Sequence, residues 1–342
     1  MSRRDQDPLD TWRTVALVGL TFNHLLLWPL ENISFAMRIT YQSVGWVSFA
    51  SVFFAISGIQ WGRKACTSDS LWQWNVRRSA RLLFWVFTAT ILFSLAVELQ
   101  VIKPAPWQRH MNWTEPHTPL KALAGLKLPW LLDVIWLHAW LGIYATIVWS
   151  VFGRNRCPLA IAAVSFLVWI AGQADEVQVR MLPTIAEAPP WHHWTGWQLL
   201  FVICALSQHH DIKKRLDFLN NAFFSKILLS AAVLLFILKQ STASADINDL
   251  SETKRFGPWF AVNSIVLCLL ARRYQLPQLP AALAIIGRRT LVFYSLQILA
   301  VYLLGSHSTF SQNQKFHSFA VIAFLLASLF ALAQLLMNRR SV

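Results

Sequence analysis

Charge is scarce in this sequence. Asp, Glu, Lys and Arg make up 13% of its 342 residues, against 56% hydrophobic residues that include 18 Trp and 23 Phe. A soluble domain carries about twice that share of charge, so a soluble globular enzyme is excluded. Cysteine is equally thin, with four residues at 66, 157, 204 and 268 and no C-x-x-C spacing. Neither a disulfide framework nor a zinc site is supported. The sequence also lacks an internal repeat and any low-complexity tract, and a transporter built from inverted repeats would show the former. No small-residue cleavage site follows the polar MSRRDQDPLD and the first apolar run, so that run is expected to be a retained span and not a signal peptide.

What is present is a series of apolar runs, at 14–30, 44–61, 82–101, 128–152, 158–172, 195–207, 223–238, 259–271, 290–305 and 318–337. They predict an all-α polytopic membrane protein of about ten transmembrane helices, forming a single integral-membrane domain over 1–342. The net charge of +14 is unevenly spread: with a cytoplasmic N-terminus, twenty of the thirty Lys and Arg lie on the inner side, and every inner connection is basic. That is the positive-inside pattern, and it places both termini in the cytoplasm. The charge thus reports topology and contact with anionic lipid, and a nucleic-acid surface is not expected. The sixth and eighth runs fall short of the roughly 20 residues a span needs, which points to helices shielded by neighbours or broken around a site.

The first run, within TWRTVALVGLTFNHLLLWPL, buries a histidine. Arg13 and His24 are eleven residues apart, so about three turns bring both side chains to nearly one face, about 16 Å apart along the axis. Arg13 then sits at the cytoplasmic interface and His24 deep in the membrane. Asp10 precedes Arg13 by three residues and is placed to pair with it at the helix start. An ionisable group at membrane depth is a functional hypothesis, weighed against a neutral histidine bonded to a neighbouring helix.

These residues resemble a family. Asp10-Thr11-Trp12-Arg13 followed by His24 is similar to the first span of the membrane acyltransferases of the acyltransferase type 3 superfamily, in particular the OpgC-like branch, the osmoregulated periplasmic glucan succinyltransferases. SFASVFFAISGIQWGRK, with Phe53-Phe54, Ser57-Gly58 and Gly62-Arg63, resembles that branch's second span. Asp133-Val134-Ile135-Trp136-Leu137, Trp197-Gln198-Leu199-Leu200-Phe201, Gly257-Pro258 and Ile286-Gly287-Arg288-Arg289-Thr290-Leu291-Val292-Phe293 resemble further elements of it, in family order.

The resemblance implies an enzyme of the bacterial inner membrane. Acyl-CoA, a co-substrate and not a resident cofactor, would donate from the cytoplasm, and a hydroxyl of a periplasmic glycan would accept. His24 would act as general base and acid, or carry the acyl group itself. Arg13, Arg77, Arg78, Arg81, Arg288 and Arg289 would hold the phosphates of coenzyme A, because guanidinium forks bind phosphate oxygens bidentately, and Asp10 would contribute to that site by holding the Arg13 guanidinium in place. Asp133 and His138, in the fourth run, would hold the acceptor hydroxyl or present a second imidazole. Gln198, Tyr294 and Gln297 are candidate donors to the thioester oxyanion, whereas Asn23 and Ser57 read as packing groups. A succinyl group would also need a cation for its free carboxylate within the membrane. No such Arg or Lys is obvious in the spans, which keeps acetyl transfer to a surface or lipid-linked polysaccharide as an alternative.

The remaining signals have plainer readings. WHHW at 191–194 and His209-His210-Asp211 fall on opposite sides of the membrane, and adjacent histidines rarely face one ion, so no metal site is expected. Trp107, Trp113, Trp130, Trp191, Trp194 and Trp197 form an aromatic belt at the outer interface, with a stacking surface for sugar as the second reading. The non-catalytic alternative is a transporter or flippase of lipid-linked sugars, with His24 as a proton relay. Expected partners are acyl-CoA, the glycan acceptor and membrane lipid; nothing in the sequence names a protein partner.

Overall fold

The computed structural model describes residues 7–27, 49–101, 117, 120–121, 128, 132–152, 158–173, 194–217, 221–242, 258–273 and 279–306. The elements among the described residues are all helices, with no strand. The helices are α1 (Pro8–Leu27), α2 (Phe49–Thr67), α3 (Leu71–Glu98), α4 (Leu132–Phe152), α5 (Pro158–Ala171) and α6 (Trp194–Leu206). They continue with α7 (His210–Leu216), α8 (Ala222–Thr242), α9 (Pro258–Arg273), α10 (Ala281–Arg288) and α11 (Thr290–Ser306). Nine of the ten apolar runs thus coincide with helices, and the run at 318–337 lies outside the described residues.

Local chemistry explains where several of these helices begin. Proline opens α1, α5 and α9, where a fixed φ is an advantage and the missing N–H would have had no partner in the helix. Before α1, the Asp7 carboxylate accepts from the Leu9 amide at 3.0 Å, a side-chain cap. Asp10 in the first turn is favoured by the helix dipole.

The third helix starts earlier than hydropathy indicates. α3 begins at Leu71, eleven residues ahead of the run at 82–101, so Arg77, Arg78 and Arg81 lie within a helix and not in a connecting loop. Arginine interrupts a hydropathy window, but it is a good helix former, and no Gly or Pro intervenes between Leu71 and Glu98. At 28 residues α3 is about 42 Å long, more than the ~30 Å of a bilayer core. The second correction is α10, a two-turn helix over 281–288 where the sequence pattern indicates only a basic connection.

The chain divides into two compact units. The first holds residues 1–53, 100–109 and 274–342, and the second 54–99 and 110–273. In the first, α1 packs on α10 and α11, and α10 packs on α11. A Cβ at Gly287 would collide with the Asp10 carbonyl oxygen, so only glycine admits α10 this close to α1.

In the second unit α3 packs along α4, α4 along α5 and α6, α5 along α6, and α9 against α6 and α8. Two helices among the described residues, α3 and α4, are long and apolar enough to cross a membrane. A core helix of a soluble protein would satisfy the same test by being enclosed, yet only 17% of the apolar stretch of α3 is buried. Its buried stripe includes Asn75, Ser79 and Thr90, while Trp72, Val76, Phe84, Leu92 and Leu95 face outward. From residue 82 to residue 97 the exposed residues of α3 are all apolar, an arrangement suited to lipid.

α6 has only 13 residues, of which eleven are buried, so its neighbours enclose it nearly all round. Glycines let α2 reach it: a Cβ on Gly58 or Gly62 would strike the carbonyl oxygens of Phe201 and Ala205. Trp61, between them and fully buried, donates from Nε1 to Thr146 Oγ1 at 3.3 Å and meets Trp149 edge-on.

Candidate active site

A charge cluster in the first unit joins the start of α1 to the end of α10. Asp10, 5% exposed, accepts from Arg13 Nη1 at 2.5 Å through Oδ1 and from Arg288 Nε at 3.1 Å through Oδ2. The first bond is the one the i,i+3 spacing predicts; the second spans 278 positions of sequence. Thr14 Oγ1 lies 3.0 Å from both the Asp10 and Leu283 carbonyl oxygens, and its one proton serves them in turn. One carboxylate between two guanidiniums fixes where both forks sit. Arg289 follows at the break between α10 and α11, where its amide donates to the Ile285 carbonyl at 3.0 Å.

His24 belongs to the same α1 helix, fourteen residues beyond Asp10. Its side chain, and that of Asn23, lies outside the described residues. Tyr294 and Gln297 are buried in α11, and Tyr294 meets Phe53 edge to face.

A second polar cluster forms in the other unit, between α2, α3 and α4. The three arginines of α3 are not equivalent there. Arg77 and Arg81 are exposed, whereas Arg78 is half-buried and turned towards α4. Its Nη1 donates to the His138 carbonyl and its Nη2 to Ser57 Oγ, each at 3.4 Å, the long end of hydrogen bonding. Ser57 therefore does more than pack. One turn along, Ser79 Oγ donates to the Ala139 carbonyl at 2.9 Å and holds the two helices in register.

His138, in the fourth run, is buried. Its ring stacks on Phe54, with centroids 4.1 Å apart and planes 14° from parallel. Nδ1 lies 2.7 Å from the Val134 carbonyl oxygen. A carbonyl only accepts, so Nδ1 carries a proton. Asp133 is buried in the first turn of α4.

Gln198 does not keep its amide for an oxyanion. Its Nε2 is engaged by the Ser165 carbonyl at 2.6 Å and the Thr195 carbonyl at 3.1 Å, so it ties α5 to α6. Of the histidine pairs, 192–193 lie outside the described residues, and His209 packs edge-on against Trp149 with Asp211 Oδ2 3.9 Å from its Nδ1. No group of three His, Cys, Asp or Glu converges among the described residues. Trp107, Trp113, Trp130 and Trp191 also fall outside them.

Sequence reasoning missed Asn75 and Gly142. Asn75 is fully buried beside Arg78, three residues before it on the same face of α3, and neither of its amide atoms has a hydrogen-bond partner among the described residues. A Cβ built on Gly142 would stand 2.6 Å from Asn75 Oδ1 and 3.2 Å from Arg78 Nη1, so both side chains converge on that glycine. The available signal was an Asn at i−3 from an Arg ahead of an apolar run.

The family model described as OpgC protein matches residues 4–341. Comparison with curated proteins gives no match, and comparison with solved structures gives none either.

Proposed function

The chain belongs to the OpgC protein family, whose model covers essentially all of it, and we propose that it is a membrane-embedded O-acyltransferase that moves succinyl from cytoplasmic acyl-CoA to a hydroxyl of a periplasmic glucan. Family membership supports a glucan-modifying acyltransferase role in general terms; donor, acyl group and acceptor are our reading. So are the residence of the protein in the bacterial inner membrane, its ten spans with both termini in the cytoplasm, and the service of the whole of 1–342 to this one activity.

The observation that carries the reading is the Asp10–Arg13–Arg288 cluster. Residues from near the two ends of the chain meet at the start of the helix that bears His24. Coenzyme A brings a pyrophosphate and a ribose phosphate, and Arg13, Arg288 and Arg289 supply cations for them.

His24 takes the proton of the attacking sugar hydroxyl as its oxygen bonds to the thioester carbon. The C–S bond breaks, and the imidazolium returns the proton to the departing thiolate, so that ester and free coenzyme A are the products. To the acceptor hydroxyl we assign His138 and Asp133, which lie five residues apart on α4.

The test is release of free coenzyme A by the purified protein in detergent, with succinyl-CoA and acetyl-CoA in parallel and glucan present. We expect succinyl-CoA to be consumed by wild type and not by His24→Ala. Consumption of acetyl-CoA instead moves the reading to O-acetyl transfer, and consumption of neither removes it.

A further inference from the structure

We propose that the outward face of α3 binds an anionic phospholipid, with Arg77 and Arg81 holding the headgroup phosphate and Phe84, Leu92 and Leu95 carrying the acyl tails. The proposal rests on the membrane character of the chain and not on acyl transfer, and every residue it uses belongs to the second unit.

Three observations lead to it. Arg77 and Arg81 stand one turn apart on α3, so their side chains leave by one face, and both are exposed. No acidic residue occurs between Leu71 and Val97, and neither guanidinium has a partner among the described residues. Two cations brought together without a carboxylate call for an anion from outside the chain, and guanidinium forks match the oxygens of a phosphodiester. The same face continues as Phe84, Leu92 and Leu95, each more than half exposed. Headgroup and tail chemistry thus follow one another along a single stripe, in the order a phospholipid presents them.

Length places the change of chemistry at the edge of the bilayer. Counting about 20 residues of hydrocarbon core back from Glu98 leaves 71–78 in the headgroup layer, with exposed Trp72 suited to that layer. Arg77 lies in it. Arg81, one turn inside, reaches it because helical side chains lean towards the N-terminus and long cationic ones extend to the interface. A second copy of the chain is a poorer occupant. Two-fold symmetry about the membrane normal would set each level of the face against itself, so guanidiniums would meet guanidiniums.

The experiment titrates the full chain, delipidated in a neutral detergent, with dioleoyl phosphatidylglycerol, dioleoyl phosphatidylcholine or glycerol phosphate, and reads the unfolding temperature. Phosphatidylglycerol is expected to raise it saturably, and the other two to have little effect. Each cation lost beside an anionic headgroup weakens binding about fivefold, so the double variant Arg77→Gln with Arg81→Gln should need about 30-fold more phosphatidylglycerol. Lys213→Gln with Lys214→Gln removes the same charge from exposed positions of α7, and should move the midpoint by less than about threefold. Without lipid both double variants should unfold at the wild-type temperature, because exposed charges without a partner hold nothing together.

Equal weakening by the two double variants overturns the proposal, since the lipid would then answer only to overall charge. So does a phosphatidylcholine effect as large as that of phosphatidylglycerol. A glycerol phosphate effect of that size also overturns it, by assigning the arginines to a free phosphate. A wild-type dimer that phosphatidylglycerol leaves intact and that Arg77→Gln with Arg81→Gln breaks gives the face to a second copy instead.

Discussion

Replacing Asp10 by Asn probes the joint between α1 and α10. The substitution keeps the shape and one acceptor oxygen but withdraws the negative charge from between Arg13 and Arg288. The carboxylate side chain is 8% exposed, and the two guanidinium side chains are 13% and 24% exposed. All three are well screened from water by protein, so the weak values typical of surface ion pairs do not apply. Bonds to charged groups contribute about 1.5–3 kcal/mol each, and breaking a buried pair from one side costs about 3–5 kcal/mol. With one oxygen retained and Arg288 partly open, a loss of about 2–4 kcal/mol is expected for Asp10→Asn. Arg288→Gln should cost only about 1–2 kcal/mol, because Arg13 still holds the carboxylate.

Equilibrium unfolding in detergent reads these values directly. The double variant Asp10→Asn with Arg288→Gln should lose less than the sum of the two, since both changes remove the same bond. If Asp10→Asn costs under about 1 kcal/mol, or if the two changes add fully, the carboxylate is not the joint and the cluster is only a set of surface charges.

Two other substitutions address helix packing and the oxyanion question. Gly58→Ala drives a methyl group against the Phe201 carbonyl oxygen, and a loss of about 1–3 kcal/mol in the same unfolding assay is expected; a neutral result would mean that α2 and α6 do not approach this closely. Gln198→Leu removes the bonds to the Ser165 and Thr195 carbonyls together with an unpartnered Oε1, so stability should change by about 1 kcal/mol or less and kcat by about twofold or less. A fall in kcat of about 100-fold or more would restore Gln198 as an oxyanion donor.

Much of this architecture is legible in the amino-acid sequence. The apolar runs mark nine helices because hydrophobicity over a dozen or more residues is a local property, and the Asp10–Arg13 pair is legible because three residues along a helix always bring two side chains to one face. The start of α3 is not legible, since hydropathy records where a chain is apolar and not where it is helical. Ser57 reads as a packing residue because nothing nearby in sequence indicates that Arg78, 21 positions later, bonds it. Gln198 reads as a free donor for the same reason, since its partner on α5 is 33 positions away.

The sequence by itself determined the helical composition, the membrane character, the family resemblance and the local pairing at the start of α1. Only the tertiary structure decided which way each helix turns. Arg77, Arg78 and Arg81 are one basic cluster in sequence, yet packing on α4 sends Arg78 inward and leaves Arg77 and Arg81 exposed. Asp10 likewise acquires Arg288 only through the close approach that Gly287 permits. Rotation of a helix about its axis is set by the surfaces it packs against, and those are supplied by distant parts of the chain.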